Sequence, residues 1–394
     1  MSGTPSKNLA ITFPQFDERE LENVKACLES KWVTQGPFSA EFERRFADRH
    51  ELNSALTTTS CTAALHLACL ALELGPDDEV IVPAFTWITS ANCAEYVGAK
   101  VVFADIDLET FNFDPEALKA AITPRTRAIV AVHLFGLAAP MDEILAITAE
   151  RGIHVIEDAA CAVGSTYRGK PVGGLGDIGC FSFHPRKVIT TGEGGMVTTN
   201  DAELANRIGC LRNHGASQPP GPQSAPGRPY SMGAFETLGF NLRMSDIQAA
   251  VGVAQMDKLD GLLDQRRLRA ERYTQLLTAR EMNDLKPPTA PDGCGHSYQS
   301  YVVRLRVGGQ LRRNQVMDCL ADEGIQTRPG THAVHRLGYY VNKYDIRAED
   351  FPNAKTAEET TITLPIFPGM TDADQDRVVD SLRHALHKSG QAAA

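Results

Sequence analysis

The sequence predicts an α/β protein built on a mostly parallel sheet that helices cover on both faces. Apolar segments of strand length alternate with helical patterns such as PMDEILAITAERG (residues 140–152). Strands that are apolar along their whole length are typical of a sheet buried on both faces. In chain order these segments are EVIVPAFTW (79–87), KVVFADID (100–107), AIVAVHLFG (128–136), HVIEDAA (154–160), IGCFSF (178–183) and GMVTTND (195–201).

Length and pattern together predict two domains. A chain of 394 residues exceeds the usual size of one hydrophobic core. A long helical pattern begins at Ser245, and we expect it to bridge a large domain over residues 1–260 to a small α+β domain over 261–394. The helical pattern at 17–30 is a candidate for packing on the small domain.

Composition argues against several classes of protein. Hydrophobic residues make up 43% and charged residues 22%, as in soluble globular proteins. The net charge is −10 and no basic block occurs, which disfavours nucleic acid or anionic membrane as the main partner. The nine cysteines include no CxxC pair, so we expect free thiols in a reducing compartment and no zinc site. Without a signal pattern or a membrane-length apolar run, a cytoplasmic protein is expected.

The segment TTTSCTAALHL (57–67) places small hydroxylated residues directly before a helical pattern. A helix N-terminus offers free N–H groups and the positive end of the helix dipole, which suits a phosphate. Ser60 and Thr62 are candidate hydroxyl donors, and Cys61 and Thr62 are candidate backbone donors. Plain N-capping is the ordinary alternative, and this segment taken alone favours it.

Two acids, Glu157 and Asp158, end the apolar segment at 154–160. Ligands of open α/β sheets bind at the carboxyl ends of strands, so one of these carboxylates is a candidate for a pocket. Helix capping or exposure to solvent is the alternative. No further acid or histidine lies at metal-ligand spacing, so we predict no metal site.

The segment GCFSFHPRKVITTGEGG (179–195) places Ser182 and Lys187 before a glycine-rich turn. It matches neither the P-loop nor the dinucleotide fingerprint. A phosphate cradle, a strand-end carboxylate and a lysine are together the parts that hold pyridoxal 5′-phosphate (PLP), which needs a lysine for its Schiff base and an acid at its ring nitrogen. Trp87 is the candidate aromatic plane for the ring, with a place in the core as its alternative.

These segments resemble the DegT-type nucleotide-sugar aminotransferases, which belong to the fold-type I PLP enzymes of the aspartate aminotransferase superfamily. The similarity extends from about residue 8 to about residue 385. It implies a large PLP-binding domain followed by a small C-terminal domain. The matching segments are TSCTAALHLACLAL, EVIVPAFTWITSANCAEYVGAKVVFADID, VIEDAACAVGSTYRGKPVGGLGDIGCFSFHPRKVITTGEGGMVTTND and GFNLRMSDIQAA.

The resemblance also implies roles for individual residues. Lys187 is the Schiff-base lysine, Asp158 pairs with the pyridine nitrogen, and Asn241 reaches the phosphate of the neighbouring subunit's cofactor in a homodimer with shared active sites. The substrate candidates are His184, His332 and His335. The full cofactor-binding set is Ser60, Cys61, Thr62, Trp87, Asp158, Cys161, Ser182, Lys187 and Asn241.

Three departures from the family pattern affect these expectations. Cys61 replaces the usual glycine of the phosphate turn. Cys161 replaces the glutamine, histidine or glutamate usually found near the cofactor's ring hydroxyl. The Pro-rich segment 216–235 is longer than usual, and it is either a flexible insertion or a lid that shapes the partner's sugar pocket.

The function implied is transfer of an amino group from glutamate to a keto-sugar nucleotide, an NDP-4-keto-6-deoxyhexose, in amino-sugar and polysaccharide biosynthesis. Aminotransfer to a 3-keto-sugar or a keto-cyclitol stays open as an alternative. A PLP-dependent sugar dehydratase is a further alternative, although such relatives carry histidine where this chain has Lys187. The remote alternative is a non-enzymatic regulator that retains the fold.

Overall fold

The computed structural model describes residues 8–216 and 234–391. Its strands are β1 (Ser54–Thr58), β2 (Glu79–Pro83), β3 (Phe85–Thr86), β4 (Lys100–Ala104), β5 (Thr126–Val132), β6 (His154–Asp158), β7 (Thr166–Tyr167), β8 (Lys170–Pro171), β9 (Ile178–Ser182), β10 (Gly195–Thr199), β11 (Leu285–Lys286), β12 (Cys294–Gly295), β13 (Tyr301–Leu305), β14 (His332–Ala333) and β15 (Thr361–Leu364). Its α-helices are α1 (Glu18–Ser30), α2 (Pro37–His50), α3 (Cys61–Ala71), α4 (Thr89–Tyr96), α5 (Pro115–Ala121), α6 (Met141–Ala149), α7 (Ala202–Leu211), α8 (Asp246–Ala279), α9 (Gly309–Asp322), α10 (Gly338–Tyr344), α11 (Pro352–Thr360) and α12 (Asp372–Gln391).

A seven-stranded sheet forms the centre, in the order β1-β10-β9-β6-β5-β2-β4. The strands from β9 to β4 pair in parallel, and only β10 runs against its neighbours. Side chains of successive residues point to opposite faces: Val80 and Val82 join one core, while Ile81 joins the other. The predicted α/β fold with a mostly parallel sheet between helices is confirmed.

A smaller sheet, β11-β13-β15, forms a second core with α9, α12 and the C-terminal half of α8. The sequence predicts a small α+β domain in this part of the chain, and that division into domains stays a prediction. The predicted boundary at residue 260 falls inside α8, whose 34 residues contribute to both cores. The boundary itself stays a prediction.

Part of the predicted small domain packs on the large sheet. Strand β14 pairs with β3, and Tyr340, Ala354 and Ala357 are buried in the core that covers one face of the seven-stranded sheet. In the other direction, Leu9 belongs to the small core and pairs with Ile325. The chain therefore crosses between the two cores more often than a single linker would require.

Helix α1 packs on the N-terminal half of α8, within the predicted large domain. The buried carboxylate of Glu20 pairs with Lys258 and accepts from Gln255 Nε2 at 2.6 Å. Asn23 Nδ2 donates to the Ala250 carbonyl at 3.1 Å. The candidate packing of this helix on the small domain is thus wrong, because its polar contacts lie on α8 before residue 260.

The Pro-rich segment 216–235 lies almost wholly outside the described residues. Its ends, Ala216 and Phe235, pair as an isolated antiparallel bridge. Among the helices that the structure describes, none combines the length and apolar character needed to cross a bilayer.

Asp246, the first residue of α8, connects that helix to the start of α2. Its buried carboxylate accepts from the N–H groups of Gly36, Phe38 and Ser39 at 2.9, 3.0 and 2.8 Å. It also accepts from the Ser39 hydroxyl at 2.7 Å. These bonds satisfy donors of the first turn of α2 that no helix carbonyl can reach.

We expect Asp246→Ala to lower the free energy of unfolding by about 3 kcal/mol, because it leaves several buried donors without an acceptor. Urea-induced unfolding measures the change. The matched control is Asp260→Ala on the same helix, whose exposed ion pair with Arg49 should contribute less than about 1 kcal/mol. Equal losses of unfolding free energy in the two variants would contradict the structural role of Asp246.

Candidate active site

A cleft of about 540 Å³ opens at the carboxyl ends of the parallel strands, between the large sheet and β15. Open α/β sheets bind their ligands at this edge. Most of the residues predicted from the sequence line it together: Ser60, Cys61, Thr62, Trp87, Asp158, Cys161, Ser182, His184, Lys187 and His332.

The N-terminus of α3 gives this cleft a set of free donors. Ser60 caps the helix, and its Oγ accepts from the Ala63 N–H at 3.2 Å. Within the described chain, the N–H groups of Cys61 and Thr62 have no hydrogen-bond partner. Capping and anion binding are therefore compatible here, since Ser60 occupies only one of the free N–H groups.

Gly195 allows this helix end to lie against the sheet. A Cβ at that position would be 2.5 Å from the carbonyl carbon of Ser60 and 2.7 Å from the Cys61 nitrogen. Only glycine lets β10 begin so close to the turn before α3. Burial raises the pKa of the Cys61 thiol, and the charge of Asp158 raises it further, so this thiol is neutral at physiological pH.

Asp158 ends β6 and is 5% exposed. Its Oδ2 accepts from Ser90 Oγ at 2.6 Å, and its Oδ1 accepts from the Ala160 N–H at 3.1 Å. Within the described residues it has no basic partner. A buried carboxylate held only by neutral donors is poorly compensated, and it fits a ligand that brings a positive charge.

Sequence reasoning missed Ser90, which orients this carboxylate. It is buried in α4, and its Oγ also lies 2.9 Å from Thr86 Oγ1. The signal available in the sequence was the hydroxyl-bearing run after the strand segment at 79–87. Nothing in that pattern indicates that the hydroxyl meets Asp158, which follows 68 residues later.

Glu157, the other acid of the pair, has a structural role. Its buried carboxylate accepts from His133 Nε2 at 2.8 Å and from the N–H groups of Gly173, Leu175 and Gly176. Burial raises the pKa of Glu157, but the His133 and backbone hydrogen bonds outweigh burial and lower it overall. Of the two acids that end β6, only Asp158 faces the cleft.

Lys187 lies in the loop of the β9–β10 hairpin, which the Phe183 N–H closes by donating to the Gly194 carbonyl at 2.9 Å. Its Nζ is 3.2 Å from Cys161 Sγ. Burial lowers the pKa of the Lys187 amine, but the neighbouring thiols of Cys161 and Cys61 and the Asp158 carboxylate raise it, and the net direction is upward. The amine therefore favours its protonated form unless a ligand changes these neighbours.

Trp87 lines the cleft and is 54% exposed, so it is not the core residue that the alternative interpretation expected. The pairing of β3 with β14 brings His332 beside it, with ring centroids 5.6 Å apart. The half-buried His184 also lines the cleft, and burial lowers the pKa of its imidazole.

Two predicted residues lie elsewhere. Asn241 is exposed and pairs through its backbone with Asn213, outside this cleft. His335 is fully buried against Phe103 and Phe351, so the expectation that it lies near the substrate is corrected. The turn that follows β14 directs its ring into the core of the large domain.

The cleft also contains residues that the sequence did not indicate. They come from the C-terminal part of the chain and reach the cleft only through tertiary packing. They are Gln299, Ser300, Arg328, Thr331 and Thr363.

Known proteins are similar in sequence to this chain over almost its whole length. A GDP-perosamine synthase from Caulobacter vibrioides is 41% identical over 387 residues, which cover 98% of this chain and 100% of that protein. The spore coat polysaccharide biosynthesis protein SpsC from Bacillus subtilis is 38% identical over 381 residues, covering 95% and 96% of the two chains.

Solved structures give the same result at the level of the fold. The sugar aminotransferase Spr1654 of Streptococcus pneumoniae, so named on a provisional assignment, was solved with PMP and with PLP. Both forms superpose on this chain with a TM-score of 0.90 at 29% identity. The alignments cover 97% of this chain and 100% and 99% of the two solved chains.

The model of the DegT/DnrJ/EryC1/StrS aminotransferase family matches residues 14–383. The predicted resemblance, the fold type and the cofactor are thereby confirmed. The chain belongs to the DegT/DnrJ/EryC1/StrS aminotransferase family, and it is a PLP-dependent sugar aminotransferase.

Proposed function

We propose that this enzyme transfers the amino group of glutamate to the keto carbon of a nucleotide-linked 4-keto-6-deoxyhexose. The observation that carries the proposal is the 41% identity, over 98% of this chain and 100% of the relative, to a synthase of the nucleotide-linked amino sugar GDP-perosamine. The cleft supports the aminotransferase chemistry of the proposal, because residues of suitable chemistry for the phosphate, the ring and the aldehyde of PLP line it.

The residues present fit the cofactor at both ends. The free N–H groups of Cys61 and Thr62 and the hydroxyl of Ser182 would hold its phosphate. Asp158 would hold the protonated ring nitrogen, which supplies the positive charge that this buried carboxylate lacks. Trp87 would cover one face of the ring. When bound, PLP supplies an aldehyde carbon that bonds to amines and a ring that accepts electrons.

Lys187 would hold the aldehyde carbon between turnovers and move protons during them. Its Nζ would take the α-proton of the donor as a free base, which requires an unprotonated amine. The negative charge of Asp158 is one of the influences that raise the pKa of Lys187. Pairing Asp158 with a cation cancels that influence, so ring binding would favour the basic form of Lys187.

The homodimer with shared active sites is also part of this proposal. Asn241 is exposed and outside the cleft of its own chain, so its side chain is available to a second subunit. The exposed apolar side chains of Phe235 and Leu238 lie close to it in sequence.

The substrate assignment is tested with purified, PLP-loaded enzyme, glutamate and a panel of keto compounds, with the amino product identified by its mass. We expect turnover with a nucleotide-linked 4-keto-6-deoxyhexose. Turnover confined to a 3-keto-sugar or to a keto-inositol would contradict the assignment while leaving the aminotransferase activity intact.

We expect Lys187→Ala to remove the visible absorption band of the lysine-bound cofactor and to lower turnover by about 10³-fold or more, because the cleft then has no proton carrier at that position. The matched control is Lys170→Ala, which changes an exposed lysine of β8 outside the cleft. A Lys187→Ala enzyme that kept both the band and its turnover would refute the assigned role.

Ser90→Ala should weaken PLP binding by about 10-fold, because it removes one of the two hydrogen bonds that fix the Asp158 carboxylate. Titration of the apoenzyme with PLP, followed by absorbance, measures the dissociation constant. Thr278→Ala near the exposed end of α8 serves as the control and should leave that constant unchanged. An unaltered PLP affinity in Ser90→Ala would show that Asp158 needs no such support.

A further inference from the structure

Arg328 lines the cleft as a half-buried cation without a partner. Within the described chain, its guanidinium makes no hydrogen bond or ion pair. All other buried or half-buried arginines there reach a carboxylate, an amide or a carbonyl oxygen: Arg45, Arg49, Arg212, Arg243, Arg266, Arg267, Arg269, Arg272, Arg280, Arg304, Arg312, Arg313, Arg336 and Arg377. Desolvating a cation without a compensating anion is unfavourable, which points to an anion supplied by a ligand.

The backbone that carries Arg328 is fixed from both sides of the cleft. Its carbonyl accepts from the Thr363 N–H of β15 at 2.6 Å. Two and three residues further along, the Gly330 N–H donates to Thr361 Oγ1 at 3.1 Å, and Thr331 Oγ1 donates to the Thr86 carbonyl at 3.0 Å. The guanidinium therefore projects from a backbone that hydrogen bonds to β15 and β3 hold in place.

The cofactor does not need this cation. Its phosphate has the N-terminus of α3, and its ring nitrogen has Asp158. The anions left to account for arrive with the substrates: the carboxylates of the amino donor and the diphosphate of the sugar nucleotide. Arg186 also lines the cleft, but it is exposed and suits a group that stays at the rim.

We propose that Arg328 binds a carboxylate of the amino donor, an inference that rests on the proposed transfer from glutamate. A planar guanidinium binds a carboxylate through two parallel hydrogen bonds, which fixes the orientation of the donor as well as its affinity. A half-buried position suits a small acid that must reach the reacting centre. The bulky diphosphate of the acceptor is left to the exposed part of the cleft.

The test separates donor binding from nucleotide binding in the PLP-loaded enzyme. The donor probe is 2-methylglutamate, which has both carboxylates but no α-proton, so its spectral titration reports binding alone. The nucleotide probe is GDP, followed by calorimetry. The variants are Arg328→Gln and Arg328→Lys, and Arg383→Gln on α12 is the exposed-arginine control.

We expect Arg328→Gln to raise the dissociation constant of 2-methylglutamate by about 10- to 100-fold, the range for loss of a charge-assisted hydrogen bond. Arg328→Lys should restore part of the affinity, because it keeps the charge without the planar fork. GDP affinity, the visible spectrum and the unfolding midpoint should stay at the values of the unmodified enzyme in all variants.

Two results would overturn the proposal: donor affinity within twofold of the unmodified enzyme in both Arg328 variants, or a loss confined to GDP. Failure of the proposed function is recognised separately. An unmodified enzyme that binds 2-methylglutamate but not GDP does not use a guanosine-linked sugar. One that binds GDP but no 2-methylglutamate uses a different donor, which also removes the basis for the role of Arg328.

Discussion

The cleft depends on one buried carboxylate. Asp158 ends β6 and accepts hydrogen bonds from Ser90 and Ala160, both neutral, and no cation in the described chain pairs with it. A buried anion of this kind becomes stable when a cation completes the pair. In the proposed site, the protonated ring nitrogen of PLP is such a cation, so cofactor binding would also stabilise this edge of the sheet, by mass action on the folded state.

The other contacts proposed for PLP come from elements that are fixed independently of it. The N-terminus of α3 is held against β10 by the close approach at Gly195, and Lys187 lies in a closed hairpin loop between β9 and β10. Such a site needs little rearrangement to bind its cofactor. The opposite wall of the cleft, which would face the substrates in the proposed site, includes His332 and Arg328 from the C-terminal part of the chain.

The order of apolar strands, Lys187 and Asp158 could be predicted because each depends on local pattern: an apolar run, then a polar residue where the strand ends. Ser90 and Arg328 could not, because their importance comes from contacts that form only in the folded chain. His335 shows the opposite failure. Its position in the sequence predicted a contact with the substrate, but the turn after β14 directs its ring between Phe103 and Phe351.

The return of residues 332–357 to the large sheet has a consequence for biosynthesis. Thr331 donates to the carbonyl of Thr86, 245 residues earlier, and Ala354 and Ala357 complete a core begun by α3. On the ribosome, that face of the sheet stays partly uncovered until nearly the entire chain has emerged. Long-range closure of this kind is slow, and it leaves apolar surface exposed in the meantime. The nascent chain therefore needs protection from aggregation for most of its synthesis, and the cleft can be completed only after residues 332–357 have left the ribosome.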